Sequence, residues 1–279
     1  MINLSLSLTK YMSYSFIWML FVIHISCVLS ATELELHRRC NGTFSCGDQR
    51  ELFYPFWTSG REDCGHPDFK LDDCSGRFAE LSISSVKFRI LASVYGSNII
   101  RLGRSEYIGD LCPQDPINAP FSESVLPFAP NTELLTIFYN CSRDFPQQVT
   151  NFGDFACGDD SDDDRSYYVT RNLSFPPLSE INDLLYDFSQ SCDRNVSIPA
   201  SGSTLNILQS TPSNDNLKKA LEYGFELELN QDCRTCIDSK GACGYSQTSS
   251  RFVCYSIEEP QTPTPPNPTR NKGNISYMF

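Results

Sequence analysis

Histidine and positive charge are scarce in this sequence, and each shortage removes a class of function. The histidines are His24, His37 and His66, and none stands near a Gly-x-Ser-x-Gly elbow, so Ser–His hydrolase chemistry has no material. No two carboxylates stand out as a glycosidase pair set across a cleft. No catalytic residue is therefore assigned. Lys and Arg number 22 against 34 Asp and Glu, a net charge of −12. Phosphate backbones need a basic surface, which excludes nucleic acid as a partner and argues against an anionic membrane. Beyond residue 29 no apolar run approaches the roughly 18–20 residues of a membrane span. The C-terminus lacks the hydrophobic tail of a GPI signal.

What is present begins with an apolar leader. Residues 16–29 (FIWMLFVIHISCVL) match a signal-peptide core, with Lys10 before it and small-residue cleavage expected after Ser30. Residues 1–30 are thus read as a signal peptide and the rest as soluble and secreted. Twelve cysteines follow the leader: Cys40, Cys46, Cys64, Cys74, Cys112, Cys141, Cys157, Cys192, Cys233, Cys236, Cys243 and Cys254. An even number behind a leader predicts a disulfide framework made in an oxidising compartment, with the connectivity left open. The spacing of Cys233, Cys236, Cys243 and Cys254 also admits a zinc site or a redox dithiol, and the secretory context favours structural disulfides. No metal or cofactor is called for. Sequons at Asn41, Asn140, Asn172, Asn195 and Asn274 are candidate glycan sites on exposed loops. Cys141 sits inside the Asn140 sequon, so disulfide formation there competes with glycosylation.

Charge and pattern divide the chain. Residues 31–112 carry ten basic against twelve acidic side chains, and residues 113–256 carry nine against twenty. An acidic ligand therefore belongs on the near-neutral first part. Leu81–Ile83 and Val86–Ile90 alternate apolar with polar, as half-buried strands do, and residues 95–98 read as a turn into a strand at 99–102. Leu134–Tyr139 suits a buried strand. Ile181, Leu184, Leu185 and Phe188 form a helical stripe behind Ser179. A second stripe, Leu217, Ala220 and Leu221, predicts a helix over 211–224 with Thr211 as cap, Pro212 in its first turn and Gly224 as its stop. Phe225, Leu227 and Leu229 then alternate as a strand. The acidic run at 159–164 lacks the glycine and closing glutamate of an EF-hand and reads as a solvated loop rather than a Ca²⁺ site. Prolines crowd residues 260–268, predicting an extended stalk. The fold class expected is a β-rich, disulfide-stapled domain (31–145) followed by a small α+β cysteine-rich module (146–257) and a Pro-rich tail (258–279).

Residues 40–74 contain Phe44-x-Cys46-Gly47, Tyr54-Pro55-Phe56-Trp57 and Cys64-Gly65-x-Pro67-x-Phe69, closed by Cys74. This set resembles the wall-associated, galacturonan-binding ectodomain of plant receptor-like kinases. Gly224-Phe225-x-Leu227, Cys233-x-x-Cys236, Cys243-Gly244 and Phe252-x-Cys254 resemble the companion C-terminal module, most like the leaf-rust-resistance branch. Two departures stand out: Leu229 replaces a usual Trp, and Lys240 interrupts a Ser-Gly-Gly run. Relatives continue into a transmembrane helix and a serine/threonine kinase. This sequence carries no Gly-rich loop, Val-Ala-x-Lys, His-Arg-Asp or Asp-Phe-Gly, and is read as an ectodomain-only or truncated product.

The resemblance implies non-catalytic binding of pectic galacturonan, with a membrane co-receptor as a further partner. A protein- or peptide-recognition ectodomain in defence signalling is the alternative. Uronates call for aromatic faces and Arg or Lys forks. The candidates in the first domain are Tyr54, Trp57, Arg61, His66, Lys70, Lys87, Arg89, Arg101 and Arg104. Strand parity puts Lys87 and Arg89 on one face, opposite Phe88 and Ile90. Two readings stay open for the Tyr-Pro-Phe-Trp box: a core plug between cysteines, or a sugar platform.

Overall fold

A computed structural model describes residues 33–94, 99–119, 121, 123–157, 165–172 and 179–257. The leader, the 95–98 turn, the acidic run, the stalk and Asn274 lie outside these residues, as do the side chains of Asn172 and Ser179. A helix, α1, over residues 33–40 leads into the hairpin β1 (Phe44–Cys46) and β2 (Gln49–Leu52). The predicted alternating strands form β3 (Glu80–Ile83), β4 (Val86–Val94) and β5 (Ile99–Arg104). They pair antiparallel in order, with Leu81 opposite Phe88 and Ile90 opposite Leu102. One face of this sheet, Leu81, Phe88, Ile90, Ile100 and Leu102, is nearly inaccessible to solvent. The other face carries the polar residues, as a period of two requires.

The fourth strand of that sheet comes from far along the chain. β10 (Phe225–Glu228) pairs antiparallel with β5, Phe225 opposite Leu102 and Glu226 opposite Arg101. A second antiparallel sheet, in the order β7-β8-β6-β9, lies between these segments in sequence. It comprises β6 (Thr132–Cys141), β7 (Phe152–Ala156), β8 (Arg165–Asn172) and β9 (Cys192–Ser201). Helix α2 (Ser179–Ser189) buries Phe188 beside Phe138, Phe145 and Tyr167. Helices α3 (Gly202–Ser210) and α4 (Asn214–Tyr223) bury Leu205, Leu208, Leu217, Ala220 and Leu221 against β6 and β9. The boundary expected at 145/146 is crossed by strand pairing: β6 pairs with β8 and β9, and β5 with β10.

One helix boundary differs from the sequence expectation. Thr211 does not cap α4; its N–H closes α3 on Ile207 O at 2.9 Å. Ser213 caps α4 instead, its Oγ accepting from Asn216 N–H at 3.2 Å. The unforeseen α3 uses Thr211, which leaves Pro212 in the connection.

All twelve cysteines are paired: Cys40–Cys64, Cys46–Cys74, Cys112–Cys157, Cys141–Cys192, Cys233–Cys243 and Cys236–Cys254. The last two settle the zinc and dithiol alternatives. Helix α5 (Gln231–Asp238) presents Cys233 and Cys236 one turn apart, and Cys243 and Cys254 are direct cross-strand partners in the hairpin β11 (Ala242–Ser246) and β12 (Arg251–Tyr255). Each helical sulfur takes one strand of the hairpin. The departure at Lys240 is conformational: its φ is +62°, a left-handed position that favours glycine. Leu229, where Trp is usual, is fully buried in the first core.

Candidate functional site

The aromatic box lies inside the first core. Tyr54 is 6% exposed and Trp57 9%. Tyr54 packs edge-on to Phe252, and burial first, then the nearby Tyr245 phenol, pushes its own phenol pKa far up. The free space beside it amounts to about 10 Å³, barely a water's room. Trp57 Nε1–H donates to His66 O at 2.8 Å. Gly65 makes room for the indole: a Cβ there would lie 2.5 Å from Trp57 Cδ1 and 2.6 Å from Pro55 O. Both rings are buried in this structure, which favours the plug over the platform for Tyr54 and Trp57.

The other candidates sort by environment. Arg61 is half-buried over Phe44 and donates to Gly42 O at 3.0 Å. His66 packs edge-on to Tyr245, its Nδ1 accepting from Asp68 N–H at 3.3 Å, and burial lowers its pKa while Asp68 opposes the shift. Lys70 is exposed, its Nζ 5.3 Å from the Trp57 ring centre. Arg104 is a correction. Its side chain is 2% exposed and ion-paired to Glu106, with Tyr107 beneath it. It shares the core face of β5 with Ile100 and Leu102, out of reach of a polymer.

Lys87, Arg89 and Arg101 do project from the exposed face of the first sheet. Lys87 Nζ lies 3.8 Å from Glu80 Oε2, and Arg89 Nη2 lies 3.3 Å from Glu80 Oε1. Arg89 also stacks 3.6 Å above the Phe78 ring. Two cations thus share one carboxylate and leave a net positive charge on the strand. Leu91 continues the row, covering Gly103. At about 3.3 Å per residue the step from Lys87 to Leu91 is roughly 13 Å.

The row ends at a cleft of about 510 Å³ between this sheet and helices α3 and α4. Leu91 and Arg101 line it from the sheet; Thr204 and Ile207 from α3; Asn216, Lys219, Glu222 and Tyr223 from α4. The Arg101 guanidinium lies 4.3 Å above the Tyr223 ring, whose phenol donates to Glu226 Oε1 at 3.2 Å. Arg101 Nε is buried without a hydrogen-bond partner, as are those of Arg39, Arg61, Arg194 and Arg234. Those four each bond elsewhere through a terminal nitrogen. Among the described residues the Arg101 side chain has no hydrogen bond or ion pair. Lys219 was missed by sequence reasoning. The signal was available, because burying Leu217, Ala220 and Leu221 turns Asn216, Lys219 and Tyr223 outward on the same helix.

The sequons also separate. Asn41 and Asn195 are exposed. Asn140 is half-buried at φ +51°, beside the Cys141–Cys192 disulfide, and its Nδ2 donates to Asp193 at 3.2 Å. Glycopeptide mapping of the chain expressed through a secretory route is expected to find Asn41 and Asn195 occupied and Asn140 bare. Predominant occupancy of Asn140 would contradict this structure of the β6–β9 edge.

Residues 40–104 match the family described as wall-associated receptor kinase galacturonan-binding, and residues 156–259 match wall-associated receptor kinase C-terminal. Neither is a catalytic family. The chain is 60% identical, over its whole length, to leaf rust 10 disease-resistance locus receptor-like protein kinase-like 2.5 of Arabidopsis thaliana, and spans 42% of that protein. It is 53% identical to the 2.8 member and 48% identical to the 2.1 member of the same organism, across 79% and 95% of this chain and 25% and 40% of those proteins. No solved structure matches. Among the described residues no helix is long and apolar enough to cross a membrane, and no group of three His, Cys, Asp or Glu is placed to hold a metal ion.

Proposed function

We infer that this chain, which carries the two ectodomain modules of wall-associated receptor kinases of the leaf-rust-resistance type, binds pectic galacturonan without catalysis at the outer face of the cell. The observation that carries the reading is the cation row: Lys87, Arg89 and Arg101 share the solvent face of one sheet within the segment matching the galacturonan-binding family. An extended polyuronate presents a carboxylate on every unit. A strand presents side chains on one face at every second residue, so the two can run side by side. Ligand carboxylates would take Lys87 and Arg89 in exchange for Glu80, keeping charge-assisted hydrogen bonds throughout. In a longer receptor such binding would report the state of the wall to an attached kinase. A co-receptor is compatible with the acidic second half, which a polyanion would avoid.

The test is titration of the secreted chain with an unesterified oligogalacturonide. Replacing Lys87→Glu and Arg89→Glu together is expected to weaken binding by about tenfold or more, each tenfold being about 1.4 kcal/mol. Unchanged affinity in the folded double variant would remove this face from the site. A folded wild-type chain that ignores the uronide would instead favour the protein-ligand alternative.

A further inference from the structure

The cleft at the end of the cation row has features the strand face lacks. None of its charged side chains is ion-paired: Arg101, Lys219 and Glu222 form no ion pair with one another or with any other described residue. Arg39, Arg89 and Arg234, by contrast, are paired with Asp63, Glu80 and Glu228. Only Nε of the Arg101 fork is buried without a partner; its terminal nitrogens form no hydrogen bond within the described residues and are open to a ligand. At about 510 Å³ the cleft falls within the roughly 300–1,000 Å³ of small-ligand sites.

Its chemistry is mixed, which narrows the ligand. Two cations suit a carboxylate. Glu222 does not suit an anion, but it can accept from a hydroxyl. Asn216 Nδ2 is held by Thr211 O at 2.8 Å, leaving Oδ1 as a second acceptor for hydroxyls. Leu91 and Ile207 add apolar surface for a ring face. A bare phosphate or sulfate would have no use for the acceptors. A neutral sugar would leave the cations unused. A sugar acid uses both sets.

Its walls come from both matched segments. Arg101 lies within residues 40–104, while Asn216, Lys219, Glu222 and Tyr223 lie within 156–259. We propose that this cleft is a subsite for one unit of an acidic sugar chain. Arg101 and Lys219 hold its carboxylate, Glu222 and Asn216 hold its hydroxyls, and the two modules therefore bind jointly. The proposal rests on the galacturonan reading and assigns the C-terminal module a direct part in recognition.

The experiment uses the full secreted chain, an unesterified oligogalacturonide as probe, and calorimetric titration with a thermal melt of every variant. Arg101→Gln and Lys219→Glu are each expected to weaken binding about tenfold or more. Lys219 is exposed on its helix, so Lys219→Glu should melt like the wild type; Lys219→Gln should lose less than the charge reversal. Glu222→Ala is expected to weaken binding although it removes a negative charge. The exposed Arg251→Glu on β12 serves as control and should change nothing. If the wild type binds while Arg101→Gln and Lys219→Glu stay within about twofold, the cleft is wrong and the pectin reading then rests on Lys87 and Arg89 alone. If Glu222→Ala tightens binding, the cleft is a mere anion groove and the sugar assignment is overturned. If the folded wild type does not bind the oligouronide at all, the underlying reading fails, and the subsite with it.

Discussion

Gly224→Ala is expected to block folding of the oxidised chain or lower its apparent Tm by well over about 10 °C. Gly224 joins α4 to β10 with φ +74° and ψ −149°, a conformation close to the glycine-only region. A Cβ there would lie 2.0 Å from Leu102 O and 2.9 Å from Leu102 C. These are backbone atoms of β5, which cannot yield without giving up the Phe225–Leu102 pairing. Gly224 O also accepts from Ser201 N–H at 3.0 Å, tying the same corner to β9. Backbone strain of this kind costs about 1–3 kcal/mol, and the clash adds to it. Gly60→Ala is the fitting comparison, with φ +88° and nothing within 4 Å of its virtual Cβ. It should suffer the strain alone. Equal melting of the two variants would contradict this account of the corner.

Trp57→Ala is expected to destabilise the fold by about 3–5 kcal/mol, as removal of a large buried ring does. At roughly 2–4 °C per kcal/mol for a chain of this size, the apparent Tm should fall by about 10 °C. The variant would also leave His66 O without its donor. Molecules that remain folded should bind the uronide as the wild type does, because the ring lies in the core. The sugar-platform alternative makes the reverse prediction, lost affinity at unchanged Tm. Differential scanning fluorimetry beside the binding titration separates the two.

The strands of the first sheet were legible because each buries a single face, so alternation carries the signal from Leu81 to Leu102. The partner of β5 was not. β10 arrives from more than a hundred residues later, and pairing across such a distance leaves no local pattern. Helix α5 was hidden by its cysteines, whose i, i+3 spacing reads as a disulfide or metal motif before it reads as a helix face. Disulfide connectivity had no local signature either, since it depends on how the β11–β12 hairpin meets α5.

Within the candidate site, parity could have ranked two arginines correctly. Arg101 and Arg104 lie three residues apart on one strand and must point to opposite faces. Sharing a face with Ile100 and Leu102 marks Arg104 as internal. Nothing in sequence set Lys219 and Glu222 beside Arg101, because that meeting is made by the packing of α4 against the first sheet. The family resemblance identified the modules, but it left the aromatic box open between plug and platform. Burial of both rings favours the plug.

The central claim is recognition of acidic sugar, and esterification tests it most directly. The folded, oxidised chain would be titrated with an oligogalacturonide, its fully methyl-esterified form and neutral xylan, each at low and high ionic strength. The account predicts saturable binding to the free acid alone, weakening as salt screens the Lys87, Arg89, Arg101 and Lys219 charges. Equal binding to the ester or to xylan, or no saturable binding to the acid, would contradict it.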